Sequence, residues 1–156
     1  MPKTENEPTV VYQERLVAFM DILGFSRMVD QSTSKIENQQ KIFEFLQKYS
    51  RIKHANEIFS GFGDGEGCSL DNNGINIAKN CYPYQFTQFS DSFIFSVKAE
   101  DKFSVQIFPI LIGQMMHDAL DIGFLLRGGI AKGSMVHDEN GAVFGPAFIQ
   151  AYQIES

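Results

Sequence analysis

Arg15-Leu16-Val17-Ala18-Phe19-Met20-Asp21-Ile22-Leu23-Gly24-Phe25 is the stretch on which the reading of this chain turns. Its first part, to Met20, is an apolar run of strand length and reads as a buried strand. A carboxylate follows at Asp21, ahead of the apolar segment Ile22-Leu23-Gly24-Phe25, where a charge at a strand end brings no obvious benefit to folding. A second aspartate has a comparable setting in Phe89-Ser90-Asp91-Ser92-Phe93, again where a strand-like run gives way to a turn. Two carboxylates presented in this way can clamp a divalent cation. Magnesium takes one or two carboxylates plus substrate phosphates, so the pair points to a metal-nucleotide site. Asp and Ser between strands are also ordinary turn formers, and an isolated Asp-Ser after a strand is more often a hairpin than a ligand. The setting of Asp21 is what shifts that balance.

Outward from this segment the spacing becomes helical at Phe25 and breaks at Gln31-Ser32-Thr33-Ser34, where a hydroxyl can cap the next helix. Ile36, Ile42, Phe45, Leu46, Tyr49 and Ile52 continue at three- and four-residue intervals and predict an amphipathic helix to about residue 58. Gly61 to Cys81 reads as a flexible insertion. Its glycines match neither the phosphate-loop nor the dinucleotide template. Tyr84 to Phe89 and Phe93 to Val97 predict a hairpin with Asp91 at its tip. Phe103, Ile107, Ile110, Leu111, Met115 and Leu120 give another amphipathic helix, and Phe124 to Gly133 a strand with close-packing glycines. Asn140-Gly141 marks a turn, and Gly145-Pro146 opens a last helix through Ile149, Tyr152 and Ile154.

This order predicts an α+β domain, a ferredoxin-like split βαβ sandwich with an antiparallel-rich sheet and helices on one face. The first strand then lies beside a hairpin strand in mid-sheet, and Asp21 and Asp91 share one edge. Residues 1–12 read as a flexible N-terminal arm, because charge and proline dominate them, and residues 13–156 as the domain.

The chain has 156 residues, 44% hydrophobic and 13% aromatic, which is enough for one real core; fifteen phenylalanines and no tryptophan make it Phe-rich. A formal net charge of -6 speaks against nucleic acid as a partner. A nucleoside triphosphate is compatible with that charge, since a bound metal supplies positive charge locally. No stretch approaches the length of a membrane span and the start lacks an apolar signal core, so the expected location is the cytoplasm, away from membranes. Cys68 and Cys81 read as free thiols, and His54, His117 and His137 show no ligand spacing.

The flanks of both aspartates resemble the metal motifs of class III nucleotidyl cyclases, the adenylate/guanylate-type family. Phe19-Met20-Asp21-Ile22-Leu23-Gly24-Phe25 is similar to the first, Phe89-Ser90-Asp91-Ser92 to the second, and Arg127-Gly128-Gly129-Ile130-Ala131-Lys132-Gly133 to the family's glycine-bearing strand. Gly141 to Tyr152 resembles the turn and helix that follow. The resemblance covers about residues 15 to 156 and implies a cyclase catalytic domain lacking the last strands of the fold. It implies two Mg²⁺ or Mn²⁺ ions held by Asp21, Asp91 and the Ile22 carbonyl oxygen. It further implies a nucleotide against Gly24, Phe25, Thr87, Arg127 and Lys132, and a homodimer, since such sites form between two catalytic domains.

Departures from the family pattern set the expected subclass. Purine-specific members read adenine with a lysine four positions before the second metal aspartate and an aspartate on the later turn; here those positions are Thr87 and Ala142. The chain most resembles bacterial pyrimidine (uridylate or cytidylate) cyclases of the Pycsar anti-phage system, which convert UTP or CTP to the 3',5'-cyclic monophosphate that activates a downstream effector protein. The asparagine and arginine that members carry on the last helix are replaced by Ile149 and Gln153. Arg127 and Lys132 are candidates for the missing cation, and an equally good reading makes them snorkelling side chains at a sheet edge. Two other expectations stay open: a catalytically inactive nucleotide-binding or regulatory domain of the same fold, and a purine cyclase with an unusual base pocket.

Overall fold

The computed structural model describes residues 10–50, 84–100, 102–138 and 140–156. The predicted helix end near residue 58, the glycine-rich insertion, both cysteines, His54 and most of the N-terminal arm lie outside them. In chain order the elements are β1 (Gln13–Ile22), α1 (Phe25–Ser32), α2 (Ile36–Ser50), β2 (Tyr84–Phe89), β3 (Ser92–Lys98), α3 (Lys102–Asp121), β4 (Leu126–His137), β5 (Val143–Phe144) and α4 (Pro146–Glu155). The strands form one sheet in the order β2-β3-β1-β4-β5, and every pair is antiparallel. This is the expected α+β arrangement, with the first strand at the centre of the sheet.

A central strand buries both faces, and β1 does so because its alternate residues feed two separate cores. Ala18, Met20 and Ile22 join Phe93, Phe95, Phe108, Leu111, Met115 and Phe45 in the larger cluster, which seats α1, α2 and α3 on one face. Val17 and Phe19 point the other way, into a smaller cluster with Ile94, Ala131, Met135, Ala147 and Ala151. Three helices thus share the predicted face, and α4 adds a layer to the opposite one. Phe19 holds α4 through edge-on ring contacts with Phe148 and Tyr152, at centroid distances of 6.1 and 5.3 Å.

Glycine permits the close approach. A Cβ on Gly129 would stand 2.7 Å from Ile154 Cβ and collide with the Ala151 backbone, so α4 lies directly on the β4 backbone at that point. β4 is longer than the sequence predicts, running on to His137, whose partner across the β4–β5 pair is Val143. No helix among the described residues is long and apolar enough to cross a membrane.

Candidate functional site

Asp21 belongs to the same alternate set of β1 as Val17 and Phe19, so its side chain emerges on the α4 face, at the end of the central strand. Gly24, two residues past that end, takes a left-handed φ of 74°, which turns the chain sharply into α1. The β1–β3 register sets Asp21 opposite Ser92, the residue after Asp91, and the Ile22 N–H donates to the Asp91 carbonyl over 3.2 Å. The β2–β3 hairpin therefore delivers Asp91 to the end of β1. The two carboxyl groups come close enough for Asp21, when protonated, to donate to Asp91. Asp21 is pushed up to about 6, first by burial, then by the charge and the hydrogen bond of Asp91 and by the charge of Glu155, with Arg127 acting the other way. Two carboxyl groups this close offer hard oxygen ligands to a cation.

Arg127 pairs in register with Asp21 on the other side of β1. Its guanidinium Nη2 lies 3.7 Å from Asp21 Oδ2 and its Nε 2.7 Å from Glu155 Oε1. The Glu155 side chain is 6% exposed, and the alignment of that contact leaves Oε1 without a directed hydrogen bond, so the interaction is chiefly one of charge. Glu155 was not expected from the sequence. The signal for it is the spacing Ala147, Ala151, Glu155, one stripe of a helix in which the first two residues pack on the sheet and the third reaches its edge.

Of the other expected residues, Thr87 lies on this face too: it pairs with Ile94, which belongs to the smaller core, whereas its neighbour Gln88 pairs with Phe93 on the opposite side. A Cβ on Gly141 would stand 3.5 Å from Thr87 Oγ1, so the turn that carries Ala142 closes against Thr87, and the two positions expected to face a base lie side by side. Gly24 and Phe25 form the turn just beyond Asp21, with Phe25 packed toward the larger core. Lys132 does not join the cluster. It pairs with Leu16, whose side chain packs on the α1–α3 side, so strand alternation points Lys132 away from the aspartates. Ile149 is 54% exposed and Gln153 is exposed, on the side of α4 turned from the sheet.

His137 is buried, and its ring nitrogens meet Ser96 Oγ at 2.8 Å and Thr87 Oγ1 at 2.9 Å. Burial, with the Arg15 charge, pushes it down to about 4, so it is neutral near pH 7. Since β3 and β2 lie beyond β1 from β4, the end of β4 folds back over the sheet to make these contacts.

Two other features lie elsewhere. His117, Asp118 and Asp121 approach one another on α3, but Lys48 already sits 2.6 Å from Asp118. A cleft lined by Met28, Gln31, Asn38, Lys41, Ile42, Ile122, Gly123 and Phe124 opens on the helix side of the sheet and carries no carboxylate.

No family model and no curated protein sequence matches the chain. Solved structures do. One, described as the structure of a bacterial light-regulated adenylyl cyclase, matches with a TM-score of 0.54 at 13% identity, covering 92% of this chain and 69% of the other. Another, the crystal structure of the adenylyl cyclase CyaB from P. aeruginosa, matches with a TM-score of 0.51 at 12% identity, covering 92% and 71% respectively. The fold is that of the cyclases these two structures represent.

Proposed function

We propose that this chain is a metal-dependent nucleotidyl cyclase acting on a pyrimidine nucleoside triphosphate, UTP or CTP. The observation that carries the proposal is the meeting of Asp21 and Asp91 at the end of the central strand of a cyclase fold. Their donor set fits magnesium or manganese: hard carboxylate oxygens, mutually repelling, with the Ile22 backbone beside them. A pair of such ions, when bound, lowers the barrier to attack by a hydroxyl and neutralises departing phosphates.

The chain's own residues do the rest. Asp21 and Asp91 hold the cations, and Arg127, kept at the cluster by Glu155, stands ready to meet the triphosphate in place of the cation missing at Gln153. In the reaction the ribose 3'-oxygen forms a bond to the α-phosphorus and the bond from that phosphorus to the bridging oxygen of the β-phosphate breaks. The hydroxyl proton passes to solvent and pyrophosphate leaves. Thr87 and Ala142, together at the base-reading positions, offer neither the lysine nor the aspartate of the purine readers, which favours a pyrimidine. A homodimer, a cytoplasmic location and a role in anti-phage signalling through a cyclic-nucleotide effector belong to the same proposal.

Incubating the protein with UTP, CTP, ATP and GTP in Mg²⁺ or Mn²⁺ and identifying the products tests it. Cyclic UMP or cyclic CMP is expected, and its loss in Asp21→Ala. Exposure of Ile149 and Gln153 favours a second reading, a regulatory domain that binds the nucleotide without turnover; tight binding with no cyclic product selects it.

A further inference from the structure

Arg15, Ser96, His137 and Thr87 form a single hydrogen-bond chain across the sheet face that carries Asp21, and the chain has a fixed direction. Arg15 is buried; its Nε donates to Ser96 Oγ over 2.8 Å, its Nη2 to the Ser96 carbonyl over 3.1 Å and its Nη1 to Gln13 Oε1 over 2.9 Å. A guanidinium can only donate, so the Ser96 hydroxyl accepts from it. Ser96 is fully buried, and its own proton goes to the partner that remains, His137 Nδ1 at 2.8 Å. A neutral imidazole that accepts at Nδ1 carries its proton at Nε2, and Nε2 donates to Thr87 Oγ1 at 2.9 Å. The Thr87 proton is then left to point outward.

In the turn beside Thr87 the backbone N–H groups of Asn140, Gly141 and Ala142 are occupied. Asn140 N–H and Ala142 N–H both donate to Asp138 Oδ1, at 3.1 and 2.7 Å, and Gly141 N–H donates to the Asp138 carbonyl at 3.1 Å. At the two base-reading positions, the Thr87 hydroxyl is therefore the donor that a base meets.

We infer that this chain orients Thr87 as a hydrogen-bond donor toward the exocyclic group of the bound pyrimidine, so that the site selects uracil over cytosine. The inference rests on the cyclase reading for the location of the base. Uracil presents a carbonyl oxygen at C4, which accepts the Thr87 proton. Cytosine presents an amino group there, which can donate only to the lone pair that His137 leaves free on Thr87 Oγ1, and the Thr87 proton is then left without a partner. A site built to pair one substrate group rejects an analogue that leaves it unpaired by large factors. His137 is a positioning residue, acting through Thr87.

The test compares kcat/KM for UTP and CTP in the wild type, Thr87→Val, Thr87→Ser, His137→Gln and His137→Phe. The wild type should prefer UTP by on the order of 10²-fold or more. Thr87→Val should bring that ratio to within about tenfold of unity chiefly by losing UTP activity, while Thr87→Ser keeps the preference. His137→Gln, which retains a donor near the Nε2 position, should keep more of it than His137→Phe. Nitrogen-15 NMR of His137 should find the proton on Nε2, and this readout stands even where a His137 variant fails to fold. A preference for CTP, an unchanged ratio in Thr87→Val, or a proton on Nδ1 overturns the inference and leaves the cyclase reading intact. Calorimetric binding of UTP and CTP with Ca²⁺ separates the two ideas. Preferential UTP binding that Thr87→Val erases, with no cyclic product, supports the inference and overturns the activity; binding of neither nucleotide overturns both.

Discussion

The carboxyl groups of Asp21 and Asp91 meet at the end of β1, one carried by the central strand and the other by the turn between β2 and β3, and Asp21 donates to Asp91 when it is protonated. Without a cation this proximity works against folding, because burial and like charge both oppose ionisation of Asp21. Asp21→Asn should therefore stabilise the cation-free protein at pH 7 by about 1 to 3 kcal/mol while abolishing turnover. Urea unfolding in the presence of EDTA measures the first effect. A destabilised variant would show that the charge of Asp21 is needed by Arg127 more than it is opposed by Asp91.

Divalent cations should reverse the order. Manganese at about one hundred times its dissociation constant adds about 2.7 kcal/mol to a protein that binds it only when folded. Thermal unfolding with and without Mn²⁺ should show that gain in the wild type and little of it in Asp21→Ala or Asp91→Ala. Equal gains in all three would locate the cation elsewhere.

Arg127 meets two carboxylates with different nitrogens of one planar group, Nη2 toward Asp21 and Nε toward Glu155. A lysine ammonium cannot reproduce that fork. Arg127→Ala and Arg127→Lys should both lower kcat by roughly 10² or more, and Glu155→Gln by about 10- to 100-fold, with unfolding midpoints near that of the wild type. Full activity in Arg127→Lys would mean that only the charge matters.

His137 makes the protein sensitive to acid. Its folded value is about 4 against 6.5 for an ordinary histidine, so it adds stability that is fully present above pH 6.5 and is lost as the pH falls toward 4. A shift of this size corresponds to about 3 kcal/mol. Asp21, raised to about 6 from 3.8, has the opposite sign: its favourable contribution is complete below pH 3.8 and disappears as the pH rises through 6. Urea midpoints of His137→Gln across pH 4 to 7 should lack the acid-side decline. An unchanged profile would assign that decline to other groups.

Gly129→Val should be among the most damaging single changes at the sheet surface, since the added carbons meet the Ala151 backbone and Ile154. A loss of about 3 kcal/mol or more is expected, with Gly129→Ala smaller. Tolerance of valine would mean that α4 can lift from β4 without cost.

The fold was legible because its main signals are local. Val17 to Met20, the paired runs around Asp91 and the three- and four-residue spacing of Phe45, Leu111 and Met115 each declare an element, and their order leaves few topologies. β4 was less legible. Its inward residues Gly129, Ala131 and Gly133 are small because α4 lies on them, while Ile130 on the other side is 48% exposed, so apolar alternation points to the wrong face. The aspartates were readable for the same local reason. Glu155 and the Arg15, Ser96 and His137 chain were not, because each gains its meaning from a partner tens of residues away: Arg15 and Ser96 are 81 positions apart. The two readings of Lys132 could not be separated locally, because a basic residue near Arg127 in sequence says nothing of the side of the strand on which it stands.

The two aspartates are mounted unequally. Asp21 sits on a strand hydrogen-bonded along both edges, whereas Asp91 hangs from a two-residue turn whose other member, Ser90, holds a φ of 55°. The Ile22 N–H ties the Asp91 carbonyl back to β1, so any adjustment of the pair to an ion of different radius would fall to the Asp91 side chain and the torsions of its turn.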